Sequence, residues 1–181
     1  MNVSTAQISD AYPPSISLRP EQPDDVGFLF EVYASTREEE LALTNWDEST
    51  RHAFLTQQFN AMRQGYRSMF PAGEFSIVEL AKKAIGRLVI NRSEIEIRVV
   101  DLALLPSSRG CGRGTFLMHQ IMAQAAGAGK TVRLCVLQNN RARHWYERLQ
   151  FRKIGETGFS DELEWRPESL AAPANSISPG G

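Results

Sequence analysis

One segment near the middle of the chain constrains the fold more than any other. Residues 99–105, Val-Val-Asp-Leu-Ala-Leu-Leu, are apolar almost throughout, which is typical of a central strand that is covered on both faces. The glycine-rich sequence of residues 109–114 follows, and helical periodicity then extends over residues 112–126. A buried strand, a glycine-rich turn and a helix are therefore expected to follow one another directly.

The glycine-rich turn has the properties of an anion-binding site. A helix that begins in such a turn presents unpaired backbone N–H groups and the positive end of its dipole. Glycines allow the backbone to close around a ligand without clashes from Cβ atoms. Arg109 and Arg113 add positive charge on either side of Gly110 and Gly112. We therefore expect residues 110–115 to cradle an anion, and a pyrophosphate suits this arrangement.

Three other interpretations of the glycines were weighed. A dinucleotide-binding fingerprint is incomplete, because Thr115 stands where the third glycine belongs and Gln138 follows the next strand in place of an acidic residue. A P-loop at residues 129–131 is rejected, because Gln124 stands at its first glycine and the segment leads from a helix into a strand. A tight turn without a ligand is the remaining alternative, and the flanking arginines argue against it.

The flanking sequence predicts alternating strands and helices. Strand-helix-strand order in the second half implies parallel pairing through a right-handed crossover. On the strand at residues 94–105, we expect Ile95, Ile97 and Val99 to face one way, with Glu94, Glu96 and Arg98 facing the other. The other predicted elements are strands at residues 16–19, 75–80, 84–90, 131–137, 151–154 and 162–165, helices from residue 26, from residue 48 and at 140–149, and a short helix or loop at 35–44. Residues 81–83 are expected to form a hairpin turn, and Asp47 is expected to cap the helix that follows it.

Two motifs together resemble the GCN5-related N-acetyltransferases (GNAT). Residues 109–114 match the pyrophosphate-loop pattern Gln/Arg-x-x-Gly-x-Gly/Ala of that superfamily. Beginning thirty residues after Arg109, the chain also follows the pattern Asn-x-x-Ala-x-x-x-Tyr-Glu and a terminal Leu-Gly-Phe, through Asn139, Ala142, Tyr146, Glu147, Leu149 and Phe151. The resemblance covers residues 16–166. It implies a single α/β (α+β) domain whose splayed, mixed and mostly antiparallel central sheet carries helices on both faces.

The resemblance also implies a site and a reaction. Acetyl-CoA is the expected co-substrate, and a primary amine is expected to attack it directly in a ternary complex. Tyr146 is carried over as the general acid, since a phenol at the sulfur could protonate the departing thiolate. A half-buried core aromatic is the alternative for this residue. The implied coenzyme contacts are Leu102, Ala103, Leu104, Arg109, Gly110, Cys111, Gly112, Arg113, Gly114, Thr115 and Asn139.

The chain departs from the family pattern at two places. Gln150 replaces the glycine of Leu-Gly-Phe, at a turn expected to need a positive φ angle. Cys135 and Leu137 stand where many relatives carry a carboxylate or a histidine. The remaining candidates for the general base are Glu94 and Glu96, for which solvated charge on a strand face is the alternative.

Composition excludes several functional classes. The formal net charge of −1 argues against a dedicated nucleic-acid-binding protein, and no apolar stretch is long enough to predict a membrane span. The two cysteines form no CxxC motif and the N-terminal residues show no pattern that predicts a secretory signal, so a reducing cytoplasm is expected. The three histidines lack ligand spacing, so no metal site is expected.

The predicted organisation is one N-acetyltransferase domain at residues 16–167 between disordered tails at residues 1–15 and 168–181. The acceptor is expected to be a small-molecule or peptide amine, and pairing of exposed strand edges into a homodimer is left open. A catalytically silent acyl-CoA-binding module with a regulatory or partner-binding role is the alternative function. A nucleotide-binding oxidoreductase is a second rival, which the missing third glycine disfavours.

Overall fold

The computed structural model describes residues 16–170. Of the tails expected at residues 1–15 and 168–181, residues 1–15 and 171–181 lie outside the described residues, and Glu168–Leu170 form a short 3-10 helix. The strands are β1 (Ile16–Pro20), β2 (Glu74–Leu80), β3 (Lys83–Arg92), β4 (Glu96–Leu104), β5 (Thr131–Leu137), β6 (Arg152–Thr157) and β7 (Ser160–Trp165). The helices are α1 (Val26–Ser35), α2 (Glu38–Leu41), α3 (Glu48–Met69), α4 (Arg113–Gly127) and α5 (Ala142–Arg148).

The seven strands form one sheet in the order β1-β2-β3-β4-β5-β7-β6. All neighbouring pairs are antiparallel except β4 and β5, which are parallel and are joined through α4. Helices cover both faces. Leu117, Met118 and Ile121 of α4 belong to the main core, whereas Leu29 of α1 and Phe59 of α3 belong to a second core that includes Ile77 of β2. The expected mixed, mostly antiparallel sheet with helices on both faces is confirmed.

Local sequence explains where several elements begin and turn. Asp47 starts α3, because its Oδ1 accepts the backbone N–H of Thr50 at 2.7 Å, and these bonds lower the pKa of the Asp47 carboxyl. The predicted hairpin of β2 and β3 is confirmed, and its turn places Ala81 and Lys82 at φ angles of 50° and 65°. Two successive positive φ angles match the twist of the flanking strands.

Strand β4 begins later than the sequence predicted. Residues 93–95 form a turn instead, in which Ser93 Oγ accepts the backbone N–H groups of Ile95 and Glu96 at 3.3 and 3.1 Å. Ile95 is therefore 71% exposed, whereas Ile97 and Val99 are buried as expected. The expectation for Ile95 was wrong because the hydrogen bonds from the backbone to the Ser93 side chain hold residues 93–95 in a turn. Strand β4 therefore begins two residues later than predicted.

Strands β4 and β5 part after a short stretch of pairing. Their parallel register joins Glu96–Val99 to residues 131–134, and β4 then continues to Leu104 without β5 beside it. A bulge begins at the same level, since Val89 and Ile90 of β3 face Asp101 and Val99, which leaves Val100 as the extra residue. A bulge bends a strand and increases its twist. The predicted splay of the sheet is thus present in the middle of the molecule.

Gln150 occupies the turn after α5 with a φ angle of 68°. A residue with a side chain in the left-handed conformation destabilises the folded state by about 1–2 kcal/mol compared with a glycine at the same position. Part of this difference is offset because glycine is more flexible in the unfolded chain. We expect Gln150→Gly to raise the free energy of unfolding by roughly 0.5–1 kcal/mol, as measured by urea denaturation.

Gln64→Gly is the matched control for this change. Gln64 is exposed inside α3, where glycine lowers helix stability by about 1 kcal/mol. The two substitutions should therefore change stability in opposite directions. An equal loss of stability in both would show that Gln150 is unstrained.

Candidate active site

The glycine-rich loop between β4 and α4 is open on one side. Gly110 and Gly112 have φ angles of 73° and 74°, a conformation that residues with side chains rarely adopt. A Cβ atom added at either position would meet no heavy atom within 4 Å. The glycines are therefore required by the backbone conformation, and they leave accessible space in front of the loop.

Helix α4 begins at this loop. Gly112 is its N-cap, and the Gly112 carbonyl accepts the backbone N–H of Phe116 at 2.9 Å. The N–H groups of the first helical turn, at Arg113, Gly114 and Thr115, have no carbonyl partner within the helix because no preceding turn exists. They lie beside the open space with the positive end of the helix dipole, which favours a bound anion.

A cleft of about 480 Å³ extends from this loop. One wall is the end of β4, a second is the loop, and the third is α5. Trp145 Nε1 donates to Thr115 Oγ1 at 3.0 Å, so α5 is attached to the start of α4 across the cleft. The lining residues are Leu102, Leu104, Arg109, Gly110, Gly112, Gly114, Thr115, Ala142, Trp145 and Arg148. Trp145 and Arg148 were not among the residues predicted for the site.

The backbone at the end of β4 is directed toward the gap. Leu105 N–H donates to the Ile85 carbonyl at 2.9 Å, and Gly86 faces Leu104 in the register of β3 and β4. Because hydrogen-bonded and non-bonded pairs alternate in an antiparallel ladder, the N–H and C=O groups of Leu104 and Leu102 point away from β3. By the same alternation, those of Ala103 point toward β3.

Tyr146 lies in α5 behind Trp145 and is half-buried. Its ring is 4.7 Å from that of Trp145 and 5.6 Å from that of Phe151, centroid to centroid. Burial, with a smaller contribution from the charge of Asp101, raises the pKa of Tyr146 to about 12. The phenol is therefore protonated at neutral pH, so it can donate a proton but not accept one.

Asp101 is a buried carboxylate that the sequence analysis did not select. It lies in β4 on the face opposite Leu102 and Leu104, and its Oδ2 is 2.6 Å from Arg87 Nε. Burial raises the pKa of the Asp101 carboxyl, although the adjacent Arg87 guanidinium opposes the shift. Asp101 is the single charged residue of the apolar run at 99–105, and this was the sequence signal that could have identified it.

Asp101 borders a second, smaller cavity under α3. This cavity has a volume of about 20 Å³ and is lined in part by Tyr66 and Arg87. Burial, together with the Asp101 charge, raises the pKa of Tyr66 to about 12. The charge of Asp101 thus acts on Tyr66 on one side and on Tyr146 on the other.

Glu94 and Glu96 lie at the opposite end of β4. Glu96 faces Thr131 at the start of the parallel pairing, and its carboxylate contacts Arg98 at 2.9 Å and Arg133 at 3.3 Å. Glu94 lies before the strand and is exposed. Six residues separate Glu96 from Leu102, which corresponds to roughly 20 Å along a strand. The structure does not bring these two carboxylates to the cleft.

Asn139 lies exposed in the turn between β5 and α5. The neighbouring Asn140 starts that helix, because its Oδ1 accepts the Ala142 N–H at 2.8 Å, a role that the sequence analysis did not assign. Cys111 is exposed in the glycine-rich loop, where its thiol donates to the Arg109 carbonyl at 3.4 Å. Neither Asn139 nor Cys111 is among the residues that line the cleft.

Residues 16–170 contain neither a metal-binding cluster nor a membrane-spanning helix. Within this range, no group of three or more His, Cys, Asp or Glu side chains is arranged to hold a metal ion. None of the described helices is long and apolar enough to cross a bilayer.

A family model described as an acetyltransferase (GNAT) domain matches residues 71–153. The match begins just before β2 and extends into β6, so it includes the glycine-rich loop, both parting strands and α5. No curated protein matches the sequence.

Solved structures with this fold include two acetyltransferases and a protein named Ard1. The PaiA N-acetyltransferase of Thermoplasma acidophilum, in complex with coenzyme A, is 17% identical with a TM-score of 0.61, over 84% of this chain and 99% of that one. A Corynebacterium glutamicum structure, named histone acetyltransferase HPA2 and related acetyltransferase, is 18% identical with a TM-score of 0.59. The match covers 84% of this chain and 96% of that one. Ard1 of Thermoplasma volcanium is 19% identical with a TM-score of 0.54, and the match covers 83% of this chain and 96% of that one. Residues 71–153 of this chain thus match a GNAT acetyltransferase domain model, and the described residues share the fold of these solved structures.

Proposed function

We propose that this protein is an N-acyltransferase that transfers an acetyl group from acetyl-CoA to a primary amine by direct attack in a ternary complex. The observation that carries the proposal is the gap between β4 and β5 beside an open loop of backbone amides. The loop offers an anion site, and the gap offers access from one face of the sheet to the other.

The residues around the cleft fit a bound coenzyme A. The amides of residues 112–115 suit its pyrophosphate, and the open positions at Gly110 and Gly112 leave room for phosphate oxygens. The Leu104 N–H and the Leu102 carbonyl, which are directed away from β3, suit the amides of the pantetheine arm, which would bind as an added strand. When bound, acetyl-CoA supplies a thioester whose carbonyl carbon an amine can attack.

The acceptor amine would approach from the other face of the sheet. Asp101 lies on that face, and its raised pKa suits a general base that takes a proton from an ammonium group. Leu104 N–H is directed into the gap, where it can polarise a carbonyl oxygen. Tyr146 is protonated and can donate its proton to a departing thiolate. An ammonium group loses two protons on becoming an amide, of which one ends on the thiol and the other leaves to solvent through Asp101.

Helix α2 is the proposed wall for the acceptor. Arg141 Nη1, at the start of α5, lies 3.7 Å from Glu39 Oε1, so α2 lies beside the start of α5. Glu38 and Glu40 extend this acidic segment, and Leu43 beyond it is 88% exposed. Negative charge beside an apolar side chain suits an amine that is cationic before it reacts.

Gly112→Asp tests the coenzyme site. The substitution places a carboxylate where the pyrophosphate is proposed to bind, so we expect the Kd for acetyl-CoA to rise roughly 100-fold, which is the scale of losing charge-assisted hydrogen bonds. Isothermal titration calorimetry measures this change. Gly129→Asp is the control, since Gly129 also has a positive φ of 63° and open space but lies in the turn between α4 and β5. Equal affinities in both variants would contradict the proposed site.

Asp101→Asn tests the general base. We expect kcat to fall about 100-fold or more, with little change in the Kd for acetyl-CoA. In the wild type, activity should rise with pH as Asp101 loses its proton, above the usual range of an aspartate because its pKa is raised. This acidic limb should be absent from the pH profile of Asp101→Asn.

Glu96→Gln is the discriminating comparison for Asp101. It should keep the acidic limb, and loss of the limb in this variant would assign the base to Glu96 instead. Asp101→Glu, which retains a carboxylate beside Arg87, is the second variant if Asp101→Asn does not fold. Because Asp101→Glu keeps the charge, it should recover part of the activity.

Tyr146→Phe tests the general acid. We expect kcat to fall about 100-fold because the thiolate loses its proton donor, while the packing against Trp145 and the Kd for acetyl-CoA change little. Because the pKa of Tyr146 is about 12, the wild-type rate should show no alkaline limb from this group below about pH 11. An unaltered rate in Tyr146→Phe would assign the residue to core packing.

Release of free thiol with a panel of amines distinguishes the enzyme from a catalytically silent coenzyme-binding module. Binding of acetyl-CoA without thiol release on any amine would favour the module.

A further inference from the structure

The side chain of Arg109 is bonded to the protein itself. Its Nε donates to the Leu104 carbonyl at 2.8 Å. Its Nη2 donates to Ser35 Oγ at 2.9 Å and lies 3.3 Å from the Ser35 carbonyl. The guanidinium group therefore joins the end of β4 to Ser35, which lies 74 residues before Arg109 in the chain.

Each partner of Arg109 is a terminal residue of an element. Leu104 is the last residue of β4, and Ser35 is the last residue of α1. Ser35 is 8% exposed, and its Oγ also donates to the Val32 carbonyl at 2.8 Å. Arg109 thus links a buried helix end on one side of the sheet to the strand end that borders the coenzyme cleft.

The peptide group between Leu104 and Leu105 is held at both ends. Its carbonyl accepts from Arg109, and its N–H donates to Ile85 at 2.9 Å. A peptide group is planar, so these two bonds fix its orientation and with it the direction in which the chain enters the loop. Leu104 N–H, on the preceding peptide, remains directed toward the gap.

We propose that Arg109 is a positioning residue, which fixes the end of β4 and the glycine-rich loop against α1, rather than a charged ligand of the pyrophosphate. The inference rests on the proposed coenzyme site. It assigns to Arg109 a contact with the acceptor side of the molecule, because α1 leads through residues 36–37 directly into α2.

Lysine separates the two roles of this residue. The Arg109 fork reaches Leu104 and Ser35 simultaneously from one planar group, which a single ammonium group cannot reproduce. A charged phosphate ligand, in contrast, would tolerate Arg109→Lys because the positive charge is kept.

The experiment is a double-mutant cycle of Arg109→Lys and Ser35→Ala. Titration calorimetry gives the Kd for acetyl-CoA, and thiol release gives kcat. We expect Arg109→Lys to weaken coenzyme binding about tenfold and Ser35→Ala about threefold, the scale of one or two hydrogen bonds. The double variant should bind no more weakly than Arg109→Lys alone, because both changes remove the same contact.

Two substitutions serve as controls. Arg92→Lys removes a similar fork at the surface, where Arg92 Nε contacts Glu74 at 2.7 Å and Nη2 contacts Gln124 at 2.8 Å. Ser68→Ala removes a hydroxyl from the exposed side of α3. Neither should change the Kd for acetyl-CoA. Ser35→Cys replaces Ser35→Ala if the latter does not fold.

Two results would overturn the inference. In the first, Arg109→Lys keeps the wild-type affinity. In the second, Ser35→Ala leaves affinity and kcat unchanged, or its effect multiplies with that of Arg109→Lys. A wild-type protein that binds no acetyl-CoA would instead refute the proposed function. The same cycle measured by urea unfolding still reports whether Arg109 and Ser35 are coupled, and additive stabilities would refute the link itself.

Discussion

The parting of β4 and β5 is the constraint on which the rest of the site depends. Pairing between the two strands ends at Val99 and Leu134, and the bulge at Val100 turns β4 away. Strand groups that would otherwise pair with β5 are left directed into a gap, which is costly in a buried sheet unless a ligand or water satisfies them. The cleft beside the glycine-rich loop begins where the two strands part, so one irregularity creates the site to which the proposed function assigns the coenzyme.

The division of the sheet into two faces also separates the chemical groups. Alternation along β4 puts Leu102 and Leu104 on the coenzyme face and Asp101 on the face of α1 and α3. Arg87 contacts Asp101 and lies under the same helices; burial raises the pKa of the Asp101 carboxyl, and the adjacent cation opposes this shift. Loss of either partner would leave a buried charge uncompensated.

Sequence patterns predicted the elements well where one local signal was sufficient. The Asp47 cap and the hairpin turn followed from residue type and order, whereas the parting strands were implied by the family resemblance. The start of β4 was missed because the Ser93 bond to the backbone competes with strand pairing and leaves the apolar pattern through Ile95 unchanged. Glu96 was selected for its charge and strand position, but distance along the strand separates it from the cleft. Asp101 was overlooked because the other residues at 99–105 are apolar, and the whole segment was interpreted as a buried strand.

A motif gives the spacing of residues but not the direction of their side chains. Arg109 occupies the first position of the glycine-rich pattern, and its charge next to an anion site favoured a phosphate contact. In the structure, the same side chain bonds to Leu104 and Ser35. Its charge still adds to the positive potential of the loop, since Coulomb attraction acts over several ångströms without direct contact. The hydrogen bonds of one guanidinium group can therefore position the backbone while its charge attracts an anion. The sequence shows the charge, and only the structure shows the bonded partners.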